Sequence, residues 1–197
     1  MHFTLADLLA DITQNGFESG ADFIELELGE IWNSPGKGEF RFSVKDNGRG
    51  MTARELKLAQ DPFAGDGLKH RKRKVGLGIP FLIQTAEQSG GGWNMESRKQ
   101  GEPGAAGADR GTGTKVSAWF DLGNVDTPPA GDIPGMIRTV LLFHGPAEVV
   151  IRRVRQAPDG RIVYELRKTE LAGALGCLSD ARSLILLDKY LRSLELR

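Results

Sequence analysis

An α/β chain is what this sequence predicts. Three observations carry it: stretches of strict apolar–polar alternation, stretches whose apolar residues recur at helical spacing, and turn chemistry between them. At 197 residues one domain is the default, long enough to bury a sizeable core.

Leu5, Leu8, Leu9, Ile12 and Gly16 follow helical spacing and predict a helix over about 4–18, with Thr4 as N-cap and Asp7 three residues on. Phe23–Leu28 and Phe40–Lys45 alternate strictly around the turn residues Asn33-Ser-Pro-Gly36 and Gly38, which predicts an antiparallel pair. Residues 52–60 read as a helix and 61–74 as a polar, basic loop. A further helix runs from Ile79, with Leu82, Ile83 and Ala86 inward, to the stop at Gly90-Gly91-Gly92. Strands follow at about 92–97 and 114–121, joined by the glycine- and alanine-rich stretch 101–113.

Val125-Asp-Thr-Pro-Pro-Ala-Gly131 is the clearest composition break in the chain. It divides a first domain, 1–124, from a C-terminal unit, 132–197, with 125–131 as linker. That unit reads as a helix at 132–144, a hairpin of strands 147–155 and 161–167 turning at Asp159-Gly160, and helices at 168–175 and 180–195. This small α+β appendage is expected to pack on the first domain. Arg152, Arg153 and Arg155 are expected on a charged, solvent-facing edge, with a partner site as the alternative. Leu184, Leu187, Leu191 and Leu194 form a stripe that reads as core before dimer interface.

Composition narrows the function classes. The 26 basic and 26 acidic side chains cancel, so a broad polyanion-binding surface is not expected. A single cysteine, Cys177, excludes an internal disulfide, and no long uncharged apolar run or signal-like N-terminus is present. A cytoplasmic setting without membrane contact follows as the expectation.

Four constellations carry chemistry. Asp11-Ile-Thr-Gln-Asn15 sets a carboxylate and a carboxamide one helical turn apart, beside the apolar stripe, though an ordinary polar helix face gives the same pattern. Val44-Lys-Asp46-Asn-Gly48-Arg-Gly50 delivers Asp46 onto the buried face as its strand ends, where the carboxylate needs hydrogen-bond donors. The glycines permit a tight turn and close approach to a ligand; a plain Asp-Asn-Gly turn is the alternative. Lys74-Val-Gly76-Leu-Gly78-Ile-Pro80 opens a helix whose N-terminal amides suit phosphate, just after the basic run Lys69–Lys74. Gly111-Thr-Gly-Thr114 enters the next strand and either floors a pocket or serves a turn.

In order and spacing these pieces resemble the GHKL ATPases, the Bergerat-fold nucleotide domain of DNA gyrase, mismatch-repair MutL, the ninety-kilodalton heat-shock chaperones and sensor histidine kinases. The likeness runs over about residues 3–122. Asp11 to Asn15 is similar to the asparagine box, Asp46 to Gly50 to the first glycine box, and Asp61-Pro-Phe-Ala64 to the phenylalanine motif. Gly76-Leu-Gly78 and Gly111 to Thr114 match the second and closing glycine boxes. With Arg73–Leu82, Ala86–Gly90 and Val125–Asp132, the chain resembles more closely a group of small stand-alone ATP-binding proteins of anaerobic bacteria, often encoded near iron-only hydrogenases.

The resemblance implies a two-layer α/β sandwich with a mixed sheet, ATP lying between helices and sheet under a lid at about 61–75. It implies that Asn15 coordinates Mg²⁺, that Asp46 accepts from the adenine amine, and that Gly48, Gly50 and Thr114 line the site. Gly76, Leu77 and Gly78 would receive phosphate, with Lys74 among the lid cations. Asp11 is the candidate general base, where hydrolytic members often carry Glu, and Glu18 stands where many kinases carry Lys or Arg.

The implied function is an ATP·Mg²⁺-binding regulatory module with slow or no hydrolysis, reporting to an unidentified protein partner. A kinase phosphorylating a partner in trans, as anti-sigma serine kinases do, is the alternative. The sequence begins almost at the asparagine box, and His2, His70 and His144 lack a phosphoacceptor context, so autophosphorylation in cis is not expected. Nucleic-acid binding through the basic lid is the least expected class, and a homodimer is left open.

Overall fold

Burial along the strands decides the architecture, and β2 (Lys37–Asp46) shows it most plainly, exposing one side and hiding the other. There Phe40, Phe42 and Val44 are buried while Arg41 and Lys45 are exposed. The computed structural model describes residues 4–61, 78–99, 111–145 and 148–196. Within them one six-stranded mixed sheet carries helices on one face, a two-layer α/β sandwich.

The chain begins with α1 (Leu5–Glu18), capped by the Thr4 side chain, which accepts from the Asp7 amide. β1 (Phe23–Ser34) and β2 form the long antiparallel pair, with Ile24 opposite Asp46 and Leu28 opposite Phe42. Both strands run further into the turn region than alternation alone indicates, through Asn33 and Ser34 and from Lys37. Next come α2 (Ala53–Gln60), α3 (Gly78–Gln88), β3 (Gly92–Arg98) and β4 (Gly113–Asp121). The C-terminal part supplies α4 (Ile133–Leu142), β5 (Glu148–Ala157), β6 (Gly160–Arg167), α5 (Lys168–Leu175) and α6 (Ala181–Leu194).

Strand order across the sheet is β3-β4-β2-β1-β5-β6. β5 pairs in parallel with β1, Leu26 opposite Ile151, while the other pairings are antiparallel. Residues 148–167 are therefore strands of the same sheet as residues 23–46. In the helix layer α1 packs on α3 and α4, and α4 on α6. Leu5, Leu9, Ile24, Phe40, Phe120, Ile137, Ile151 and Leu187 belong to one continuous core. Leu187, Leu191 and Leu194 of α6 are buried there, and Leu184 is partly exposed.

One expectation is corrected. β5 is an interior strand, flanked by β1 and β6, so its arginines do not form a free edge. Arg153, on the helix side, is 1% exposed and donates to Glu30 of β1 at 2.7 Å and to Glu195 beyond α6 at 3.2 Å. Burial alone would lower its pKa, but Glu195 and Glu30 outweigh that and hold it raised. Arg152, on the open side, pairs with Glu25 and Glu165. Charges spaced two apart along a strand share a face, and local sequence does not tell which face is covered.

Candidate functional site

The site grows from the last residue of β2. Asp46 continues the buried side of Phe40, Phe42 and Val44, and there it meets α1 end-on. A Cβ placed on Gly16 would lie 3.3 Å from Asp46 Cβ, so the absent side chain at 16 is what lets helix and strand approach. Asp46 Oδ1 accepts from Ser19 Oγ at 3.2 Å and from the Gly48 amide at 2.9 Å. Burial raises the carboxyl pKa, and the donors from Gly48, Ser19 and the Thr114 backbone offset only part of that rise. A half-buried, partly desolvated carboxylate is a strong acceptor for an amine donor.

The turn after β2 is held by contacts of its own. Asn47 Oδ1 accepts from the amides of Asp22 and Phe23. At Gly48 a Cβ would sit 1.8 Å from Ser19 Oγ, and at Gly50, with φ +62°, 1.8 Å from the Arg98 carbonyl oxygen. Both glycines are thus required for the chain to pack on itself, a reason independent of any ligand. Gly113, with φ +130°, brings β4 against the Asp46 carbonyl in the same way.

Thr114 lies opposite Asp46 in the β2–β4 register. Its hydroxyl is 2.8 Å from Ser97 Oγ of β3, and Ser97 Oγ also accepts from the Met51 amide at 2.8 Å. Asn15 of α1 is half-buried beside the start of α3, its Nδ2 3.9 Å from where a Cβ on Gly78 would sit. Asp11 is one turn earlier, at the exposed margin of the same helix, and Glu18 accepts from Gln14 Nε2.

The structure therefore gathers Asn15, Asp46, Gly48 and Thr114 around the C-terminal half of α1 and the ends of β2 and β4, with Gly78 beside Asn15. Gly50 packs against the Arg98 and Gly113 carbonyls at the base of this group. Lys74, Gly76 and Leu77 lie outside the described residues, as does the lid except Asp61. Gly16, Ser19 and Ser97 were not singled out from the sequence as site residues. The i, i+4 spacing from Asn15 to Ser19 was the available signal for Ser19, whereas Ser97 depends on a cross-strand register. A cavity of about 410 Å³, lined by Pro80, Phe81, Ile83 and Gln84 among others, lies along α2 and α3, away from Asp46.

A family model described as histidine kinase-, DNA gyrase B-, and HSP90-like ATPase matches residues 3–124. The chain belongs to this ATPase family. Over 101 residues this family member is 30% identical to the DNA mismatch repair protein MutL of Thermus aquaticus, a stretch covering 51% of this chain and 18% of that protein. It spans less than a fifth of that relative's length. Among solved structures, the N-terminal domain of a DNA repair protein aligns over 90% of this chain and 58% of its own, with TM-score 0.55 and 10% identity, a likeness of fold. The Aquifex aeolicus MutL ATPase domain complexed with ADP aligns over 78% and 61%, with TM-score 0.43 and 14% identity. The six-stranded mixed sheet with helices on one face agrees with the sandwich expected of the family. Among the described residues, no helix is long and apolar enough to cross a membrane.

Proposed function

We propose that this chain binds ATP with Mg²⁺ between α1, α3 and the β2–β4 end of the sheet, as a nucleotide-dependent regulatory module with slow or no hydrolysis. The observation carrying the proposal is Asp46: a half-buried carboxylate held by Ser19 and Gly48, at the edge of the sheet and against α1, in a member of an ATPase family.

The adenine amine donates to Asp46. A guanine carbonyl in that position would face the carboxylate without a proton between them, which selects adenine. Asn15, on the flank of α1 toward Gly78, is positioned for the phosphate end, where the first residues of α3 contribute amides and the positive end of a helix dipole.

The donor set fits Mg²⁺. Among the described residues no cluster of His, Cys, Asp or Glu could hold a metal alone, and Asn15 offers one hard carboxamide oxygen, with Asp11 a turn away. That suits an ion carried chiefly by phosphate oxygens and water. When bound, the ion neutralises phosphate charge; the chain's part is to present Asn15 and to keep Asp46 ionised and oriented. Asp11, at the exposed margin, is the candidate to orient or deprotonate a water, with a shorter reach than glutamate.

The test is titration calorimetry with ATP and ADP, with and without Mg²⁺, on wild type and on Asp46→Asn and Asn15→Ala. Wild type binds both nucleotides, Asp46→Asn loses both while keeping its circular dichroism, and Asn15→Ala loses the Mg²⁺-dependent part of the affinity. Unchanged binding by Asp46→Asn overturns the proposal.

A further inference from the structure

The sheet ends at β6, and among the described residues no strand pairs with its outer side. The hairpin to β5 closes with Ala157 directly opposite Gly160, and the register continues without a bulge to Val150 opposite Arg167. In such a ladder alternate residues turn their backbone groups to the partner strand. Gly160, Ile162, Tyr164 and Leu166 therefore bond to β5, while Arg161, Val163 and Glu165 direct their N–H and C=O groups outward. Val163, in the middle of this edge, is 58% exposed.

Among the registers that overlap most of β6, the edge charges are self-complementary in one. With two copies of β6 antiparallel and Val163 opposite Val163, Arg161 faces Glu165 on each side and joins the pairs Glu165 already makes with Arg152 and Arg167, while Asp159 of the turn, paired with Arg155 in its own chain, faces Arg167. Each of the inner pairs has outward backbone groups, so the hydrogen-bond ladder and the charges agree. A shift of two residues one way sets Arg161 opposite Arg167, and the other way sets Glu165 opposite Asp159. Edges that avoid pairing carry charges that repel a second copy; this one alternates them.

The helix layer presents a matching surface on the same side of the molecule. α6 packs on α4 and on α5, and α5 lies against β5 and β6. In α6, Leu187, Leu191 and Leu194 face the core, and Asp188 and Arg192 turn toward α4, pairing with Arg138 and Asp132. Helical geometry leaves Leu186 and Tyr190 on the flank away from α4, 45% and 43% exposed. Burial and the bond it donates to Glu195 raise the pKa of Tyr164 of β6, and Tyr190 nearby adds to that rise.

We propose that the outer edge of β6 and the outer flank of α6 form a two-fold interface with a second copy of this chain. The two sheets join into one of twelve strands, Val163 lies on the axis, and Leu186 and Tyr190 meet their mates beneath it. This is independent of the nucleotide reading.

Sedimentation equilibrium of the full chain across a concentration series gives the mass, and disulfide formation reads the register. Wild type approaches twice its 21.4 kDa. Arg161→Glu, a surface change that sets Glu against Glu, weakens the dimer by roughly tenfold or more. Val163→Pro removes an outward N–H and no bond to β5, and gives a monomer with unchanged circular dichroism. In a Cys177→Ser background, Val163→Cys cross-links on oxidation, since facing hydrogen-bonded residues have Cα atoms about 5.5 Å apart. Arg161→Cys does not, its mate being displaced by about 14 Å along the strands. A wild type that stays monomeric, a dimer indifferent to Arg161→Glu and Val163→Pro, or cross-linking at both or neither cysteine overturns the proposal.

Discussion

At Asp46, burial raises the carboxyl pKa against the pull of three donors, and the sign of its pH effect follows. With the folded value above the unfolded one, protonation favours the folded state. That contribution is full below the unfolded value of 3.8 and is lost as pH rises through the raised folded value. Asp46→Asn, neutral throughout, should be at least as stable as wild type at pH 7 in thermal melts without nucleotide. Recognition of an amine needs the ionised form, so ATP affinity should fall on acidification at a higher pH than an ordinary aspartate would give. Arg153 is the opposite case, a buried cation whose worth lies in its partners. Arg153→Ala removes the buried cation that Glu30 and Glu195 share, leaving Glu30 to Trp32 and Arg155 and Glu195 to Tyr164, and should cost about 3–5 kcal/mol in denaturant melts. The role of Arg153 is not written in its own neighbourhood: it looks like Arg152 and Arg155 until the covered face is known. Asp46 was legible because strand parity carried it onto the buried side.

Among the elements, α2 shows how much a short helix owes to its ends, since none of its residues is buried. Thr52 accepts from the Glu55 amide, Glu55 accepts from the Thr52 amide, and Lys99 donates to Glu55 at 2.9 Å. The Thr52 amide and Lys99 lower the Glu55 pKa to about 2. This stabilisation is present above about 4.5 and drains away as the pH falls toward about 2, so circular dichroism of α2 should weaken over that window. Thr52→Ala should cost about 1 kcal/mol. Helices and strands were read from the sequence to within a few residues because each has its own periodicity and punctuation: Thr4 before α1, Gly90 to Gly92 after α3, Asp159-Gly160 between β5 and β6. Where boundaries moved, as at Ser34 and Lys37, pairing across the hairpin prolonged strands whose alternation had already lapsed.

For the molecule as a whole, the resemblance implied a two-layer sandwich with a mixed sheet over the first 122 residues, and neither it nor periodicity placed the C-terminal strands in that sheet. Helical stripes and alternation leave the order of strands undetermined, and nothing between Phe23 and Leu28 announces that β5, more than a hundred residues later, will lie beside β1. The composition break at 125–131 marks a change of segment, while the sheet continues across it. Ligand should act on this unit together: ATP at 100 times its dissociation constant should add about 2.7 kcal/mol to stability, read as a shift of the cooperative melt.

The parallel seam between β1 and β5 also sets a timetable for synthesis. A ribosome makes β1 well before β5, so one whole side of that twelve-residue strand has no mate until residues 148–157 have been delivered. During that interval Ile24, Leu26 and Leu28 wait beside an unfilled groove. A nascent product stopped at residue 147 should collect in the insoluble fraction, and the full-length protein should regain its shape slowly after dilution from denaturant.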